Sequence, residues 1–506
     1  MASTEAPAPA STTTSIVILG GNLAGLGVLH TLARHTIPAL QRLSSQQQTS
    51  STSPQQHEYQ ITLITPNTHF FFKPASPRAL IQPLLLPGGD DSKVFPSLQD
   101  ATQQYGDLVK VIPAYAYAID RASRLVHIRR LVNTPSPAES PESNTIPYDV
   151  LVIATGTKGR SALWSMPGPG SEGLNGAEEA TRREWEGVRA RLKNLQGGGA
   201  HKHHDILIAG GGPVGVETTG EVASWLKAEG KTEGVTVTLV SGADKLLKRN
   251  ANDGLGSKAE AYMKKQFGAL VEVVHGVKVV DVQVSDSVSG GHVSGQGQHE
   301  GEGAGERGQE TTTTTTVHLS DGTTRTNVAL YIDATGGRGT ADAFLPPSWL
   351  DASSRVITKD GYFRVRGAGS SESENDPEAS GVYVAGDIVS GSDNTLIETN
   401  FQVPVVCSSI GSDLAARILS SSSPASSTST STSTVPNNNK IKLPGPLKQK
   451  RFKNKMAGTL LVPIGPGGGV GQILGWGVPS FLVKVAKAKG FLVDMAEPAV
   501  TGQQWK

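Results

Sequence analysis

Residues 15–27 read SIVILGGNLAGLG. The run Ile16, Val17, Ile18 and Leu19 has the unbroken apolar character of a buried parallel strand, and Gly20 and Gly21 follow at once. Asn22, Ala24 and Gly25 come next, and Leu26, Leu29 and Leu32 then recur at helical spacing. Strand, glycine turn and helix in this order predict the opening of a dinucleotide-binding unit. Gly20 permits the tight turn, and Gly25 lets helix and strand pack closely. The helix N-terminus offers free N–H groups and its positive dipole end to a pyrophosphate. The middle position of the usual G-x-G-x-x-G pattern is Asn22, which tolerates positive φ but adds bulk where a cofactor would approach.

A second copy strengthens the reading. Residues 205–221 read DILIAGGGPVGVETTGE, in which Gly210, Gly212 and Gly215 complete the pattern without substitution. Pro213 suits the first helical turn, where its missing N–H costs nothing, and Glu217 falls just beyond the last glycine. The next strand, at 235–240, ends at Ser241 with no acidic residue for a ribose hydroxyl. Lys245, Lys248 and Arg249 beyond it either meet a 2′-phosphate or form a solvated basic helix start. In the first unit the strand at 60–65 ends in Thr65-Pro66-Asn67, also without an acid.

Two apolar strands, at 148–156 and 328–336, each end in Ala-Thr-Gly: Ala154-Thr155-Gly156, and the triplet closing at Gly336. Small residues are what a backbone needs where it passes close to a bound cofactor. A further strand at 382–387 closes on Gly386-Asp387. His69, Phe70, Phe71, Phe72 and Lys73 form either a wall over a cofactor ring or a loop anchored by aromatic burial. Short strands are expected at 108–119 and 124–131, and helices at 181–195 and 400–419. His201, His203 and His204 read as a polar linker, or as metal ligands if carboxylates or further histidines join them.

A chain of 506 residues is long enough for two or three domains. Its 46 basic and 45 acidic side chains leave a net charge of +1, which argues against nucleic-acid binding as the main activity. Cys407 is the one cysteine, so there is neither a disulfide framework nor a C-x-x-C redox pair. The N-terminal MASTEAPAPASTTTS resembles no secretory or transit signal, and Ala2 excludes N-myristoylation, so the expected compartment is cytoplasmic. Polar low-complexity tracts at 44–56, 133–144, 285–316 and 420–439 read as loops, a disordered insert and a linker.

The last 60 or so residues hold one more pattern. No charge occurs from 456 to 483, yet its glycines and prolines would break a transmembrane helix, so a hairpin is expected, then a helix at 479–489. On that helix Phe481, Leu482, Val485 and Ala486 group on one side, with Lys484 and Lys487 a turn apart. Lys448, Lys450, Arg451, Lys453 and Lys455 lie upstream. This apolar face beside lysines suits either a membrane surface or the protein's own core.

Together these segments resemble the two-dinucleotide-fold flavoproteins of the pyridine nucleotide oxidoreductase superfamily. The stretches NTHFFFKPASPRAL at 67–80 and GPGGGVGQILGWGVPSFLVKVAKAKGFLV at 465–493 resemble the apoptosis-inducing-factor homologue (AMID, ferroptosis-suppressor) branch, next to type II NADH dehydrogenases. The resemblance implies an α/β fold of two Rossmann-like domains with a small C-terminal α+β segment. It implies FAD at Gly20, Gly21, Asn22, Ala24 and Gly25, with Lys73, Ala154, Thr155, Gly156, Gly386 and Asp387 around it. NAD(P)H falls at Gly210, Gly212, Gly215 and Gly336, and the catalytic residues on Glu217 and Lys487. The implied domains are 1–159 and 341–420 for FAD, 160–340 for NAD(P)H with a disordered insert at 285–316, a linker at 421–439 and an acceptor- and membrane-facing segment at 440–506. The implied activity passes electrons from NAD(P)H through non-covalent FAD to a quinone-type acceptor, at the mitochondrial outer surface or a lipid droplet if membrane-associated. An oxygen-using oxidase or monooxygenase and a non-enzymatic signalling flavoprotein are the alternatives.

Overall fold

The computed structural model describes residues 12–48, 57–131, 144–166, 176–195, 203–248, 252–288, 311–339, 341, 344–365, 380–421 and 443–505. The first unit opens with β1 (Thr12–Leu19), α1 (Leu23–Thr31), α2 (Ile37–Gln48), β2 (His57–Thr65) and α3 (Ser76–Ile81). It continues through α4 (Leu98–Thr102), β3 (Val109–Asp120), β4 (Leu125–Arg130), β5 (Thr145–Pro147), β6 (Val150–Ile153) and β7 (Thr157–Gly159). The second unit holds α5 (Gly176–Asn194), β8 (His204–Ala209), α6 (Pro213–Ala228), β9 (Val235–Ser241), α7 (Asp253–Phe267), β10 (Val271–His275), β11 (Val279–Val288), β12 (Thr311–Leu319), β13 (Thr324–Asp333) and β14 (Gly337–Gly339). The chain then returns through β15 (Val382–Val384) and α8 (Leu396–Ser421), and ends in β16 (Leu460–Pro463), β17 (Gly469–Ile473), β18 (Trp476–Val478) and α9 (Ser480–Val483).

Two sheets carry the fold, each with parallel central strands. The first has the order β15-β6-β1-β2-β3-β4-β5 and the second β10-β9-β8-β13-β12-β11. β1 pairs in parallel with both β2 and β6, and β8 with both β9 and β13. Strands flanked on both sides need apolar residues throughout, and Ile16, Val17, Ile18, Ile206, Leu207 and Ile208 are all buried. This is the α/β, two-Rossmann architecture expected from the glycine loops. The strands leaving the two Ala-Thr-Gly turns, β7 and β14, pair with each other and tie the units together.

Several boundaries differ from the sequence reading. Residues 44–48 continue α2 instead of forming a loop, because Leu43 and Ser44 are buried and tertiary packing outweighs the poor propensity of the Ser/Gln tract. The tract at 285–316 is shorter at both ends, where β11 and β12 pair from Ser285↔Thr314 to Val288↔Thr311. Residues 242–248 are turns rather than a helix start, with Leu246 and Leu247 buried. Phe70, Phe71 and Phe72 are core residues: Phe71 stacks on Phe95 at 5.2 Å and meets Trp185. His204 opens β8. His201, Arg249 and the tracts at 133–143 and 422–439 lie outside the described residues.

α8 is long and apolar enough to cross a membrane. It packs against α1, and its Val403, Val406, Ile410 and Leu414 are buried in the core. The chain end is fastened to the same region. His30 on α1 is fully buried, its Nε2 donating to the Val500 carbonyl (2.8 Å) and its Nδ1 accepting from the Tyr105 hydroxyl (2.6 Å), a tautomer that follows from its partners. Arg34 donates to the Gly502 and Thr501 carbonyls, and His35 bonds the Trp505 carbonyl. Burial lowers the His30 pKa from 6.5 to about 4, with the Val500 carbonyl opposing and the Arg34 cation adding to it. Because the folded value is depressed, the unfolded chain binds the extra proton between these limits. Stability is therefore complete above pH 6.5 and falls as the pH drops towards 4, by up to about 3 kcal/mol. His30→Gln should flatten this slope in thermal melts taken across that window; equal slopes for wild type and variant would refute the assignment.

Candidate functional site

The two glycine loops are built to one plan. Gly20 and Gly210 have φ of +108° and +123°, which favour glycine. A Cβ on either would stand 2.4 Å from a carbonyl oxygen, that of Ala154 or of Ala334. A Cβ on Gly25 would stand 1.8 Å from the Gly20 carbonyl oxygen, and one on Gly215 1.8 Å from that of Gly210. The amide of Gly20 donates to Ile64 and that of Gly210 to Val240, both at 2.8 Å. Each Ala-Thr-Gly strand thus backs one loop. In each unit the hydroxyl ending the second strand, Thr65 or Ser241, accepts the amide two residues on.

The loops differ at their middle position. Asn22 caps α1, its Oδ1 accepting from the Leu23 amide (2.8 Å) and its Nδ2 donating to the Phe71 carbonyl (3.1 Å). Its bulk is drawn aside by the buried aromatic stretch. Gly212 caps α6, and a Cβ there would meet nothing within 4 Å.

Lys73 and the Gly386-Asp387 turn stand around the first loop. Lys73 Nζ donates to the Thr157 carbonyl (3.2 Å), just past Gly156. Gly386 has φ +85°, and a Cβ there would stand 2.7 Å from Ala24 Cβ. Its amide donates to Gln402 of α8 at 2.6 Å. Asp387 is half-buried, and among the described residues no hydrogen bond takes up its carboxylate. Glycines that leave no room for side chains, a helix N-terminus and an uncommitted carboxylate together fit the pyrophosphate and polyol of a flavin dinucleotide. Gly336, with φ +84° and open space around it, stands beside the second loop.

Glu217 and Lys487 meet although they are 270 residues apart in sequence, with Nζ to Oε1 at 2.6 Å. Glu217 is 3% exposed and Lys487 13%. Lys487 also donates to the Leu461 carbonyl (3.1 Å). Burial pushes the Glu217 carboxyl above its ordinary range, and the Lys487 ammonium opposes that.

One turn along α6, Glu221 takes a bidentate pair from the buried Arg78 of α3, with a further bond from Gln82. Burial raises the Glu221 carboxyl too, against the pull of Arg78. Arg78 also donates to the Ala488 carbonyl and lies over the Phe491 ring. A Cβ on Gly220, between the two acids, would stand 2.6 Å from the Ile464 backbone, so the C-terminal segment crosses α6 in direct contact.

Arg78, Gly220 and Glu221 were not singled out in the sequence. The available signal was a pair of carboxylates four residues apart on an otherwise small and apolar helix.

The C-terminal segment is a three-stranded antiparallel sheet, β16-β17-β18, followed by a helical turn over 480–488. Of the two surroundings the sequence allows for its apolar face, the structure has solvent and not the core. Val483 and Ala488 face inward and Lys487 turns in to Glu217, whereas Phe481, Leu482, Val485 and Ala486 face solvent. With Ile473, Leu474 and Trp476 they expose an apolar surface, Trp476 at 82% and Val485 at 72%.

A family model described as "Pyridine nucleotide-disulphide oxidoreductase" matches residues 14–403. The chain is 28% identical over 499 residues to the oxidoreductase phnG of Penicillium herquei, covering 97% of each. It is 25% identical over 374 residues to the oxidoreductase ptaL of Pestalotiopsis fici, covering 74% of this chain and 76% of that one. Among solved structures it resembles NDH2 of Plasmodium falciparum in complex with NADH, with TM-score 0.55, 14% identity and coverage of 97% and 98%, a likeness of fold.

Proposed function

The chain belongs to the pyridine nucleotide-disulphide oxidoreductase family, and from that premise we propose that it is an NAD(P)H:quinone-type oxidoreductase of AMID-like character. The family's members are FAD-dependent flavoproteins acting with a pyridine nucleotide. FAD held by the chain would supply two-electron redox chemistry between a nicotinamide and the acceptor. In this reading Gly20, Gly21, Asn22, Ala24, Gly25, Lys73, Ala154, Thr155, Gly156, Gly386 and Asp387 hold FAD, and Gly210, Gly212, Gly215 and Gly336 hold NAD(P)H. The disulfide chemistry in the family's name has no counterpart here, because Cys407 is the one cysteine and is buried on α8.

The observation that carries the acceptor reading is the Glu217–Lys487 pair. It joins the helix that begins at the second nucleotide loop to a segment with an exposed apolar face. In this role Lys487 offers a proton beside the acceptor and Glu217 holds its ammonium in place. Around the apolar face Lys455, Lys484 and Lys489 are exposed, and Lys258 Nζ lies over Gly477. Apolar side chains ringed by lysines suit an anionic lipid surface, where a quinone is dissolved.

Steady-state turnover with a short-chain ubiquinone tests the reading. The expected result is quinone reduction matching NAD(P)H consumption; hydrogen peroxide formed in equal amount would point to oxygen as acceptor and refute it. The variant Trp476→Ser/Phe481→Ser/Val485→Ser should weaken binding to vesicles containing phosphatidylserine by roughly tenfold or more while FAD stays bound. Unchanged vesicle binding would remove the membrane part of the proposal.

A further inference from the structure

The end of β9 is where a Rossmann unit distinguishes its nucleotides, because a carboxylate there bonds the ribose 2′-hydroxyl and repels a 2′-phosphate. Here that position is Ser241, buried and turned back to its own loop through the Ala243 amide. The following Gly242 is covered by a lysine: a Cβ at Gly242 would stand 2.9 Å from Lys278 Cγ and 3.3 Å from Lys278 Cε.

Lys278 is held there by backbone. Gly276 donates to the Ala243 carbonyl (3.0 Å) and Val277 to the Ser241 carbonyl (3.2 Å), so the turn after β10 is tied to the end of β9. The stem of Lys278 therefore lies across the strand end, and the side chain is exposed. Among the described residues no hydrogen bond or ion pair takes up its ammonium group. The nearest acid in the loop, Asp244, is paired with Lys248 at 2.7 Å.

We propose that the second nucleotide site selects NADPH over NADH and that Lys278 is the specificity-determining residue, meeting the 2′-phosphate beside Gly242. A missing carboxylate and an uncommitted cation at the same strand end both favour a phosphorylated ribose. The proposal rests on the reading of Gly210–Gly215 as the pyridine nucleotide loop.

Titration calorimetry of the FAD-loaded full chain with NADP⁺, NAD⁺ and 2′,5′-ADP tests it. NADP⁺ should bind at least about tenfold more tightly than NAD⁺. Lys278→Gln should weaken NADP⁺ and 2′,5′-ADP by about that factor, and Lys278→Glu by more, with NAD⁺ affinity unchanged. Equal affinities in the wild type, or 2′,5′-ADP binding insensitive to Lys278, would overturn the proposal and leave the loop's assignment standing. Failure of every nucleotide to bind while FAD remains in place would overturn the assignment itself.

Discussion

Gly212→Val should abolish flavin reduction by NAD(P)H, by roughly a hundredfold or more, while FAD content and melting temperature stay near those of the wild type. The expectation comes from what surrounds each glycine. At Gly212 the backbone has φ −80°, which valine adopts, and a Cβ would meet nothing within 4 Å. The substitution is therefore tolerated by the fold and obstructs only a pyrophosphate brought to the N-terminus of α6. Gly215→Val is the contrasting variant, since its Cβ would overlap the Gly210 carbonyl at 1.8 Å and the second unit should be destabilised outright. Flavin absorbance with anaerobic reduction kinetics distinguishes the two. Normal reduction in Gly212→Val, or loss of FAD from it, would show that the two loops are wrongly assigned.

Lys487→Met should cost about 3–5 kcal/mol of stability, because it leaves the carboxylate of Glu217 buried without its cation. The double variant Glu217→Gln/Lys487→Met should recover most of that loss, since a neutral amide needs no counter-charge. Neither change should restore quinone turnover if Lys487 supplies the proton beside the acceptor. The chemical role is separated from the structural one by comparing half-reactions: flavin reduction by NAD(P)H should survive in the double variant, and reoxidation by quinone should slow. Denaturant melts and stopped-flow absorbance check the two parts. A double variant as stable as the wild type and equally fast with quinone would leave the pair as structural only.

The nucleotide loops were legible because their cause is local. Gly20, Gly25, Gly210 and Gly215 are required by contacts within a few residues or with the adjacent strand, and the repeat of the Ala-Thr-Gly strands pointed to where those strands pass. The fate of Asn22 was not legible, because the Phe71 carbonyl that takes its amide lies 49 residues away. Arg78 and Glu221 are 143 residues apart and looked like ordinary helix charges until the packing of α3 against α6 joined them.

The C-terminal helical turn is a different case, because its amphipathic pattern is legible but periodicity does not say which face looks inward. The small contacts Val483 and Ala488, with Lys487 drawn in by Glu217, leave the larger apolar residues outside. Composition alone makes residues 44–48 a loop, whereas burial of Leu43 and Ser44 carries α2 through them.

The electron path from NADPH to quinone is tested most directly by a double-mixing experiment on the purified full chain without oxygen, followed at the flavin absorbance band. NADPH should bleach the flavin rapidly, and ubiquinone-1 added in the second mix should restore the colour completely with one quinone reduced per flavin. A flavin that NADPH does not bleach, or one that stays bleached with quinone and recovers only when oxygen is admitted, would contradict it.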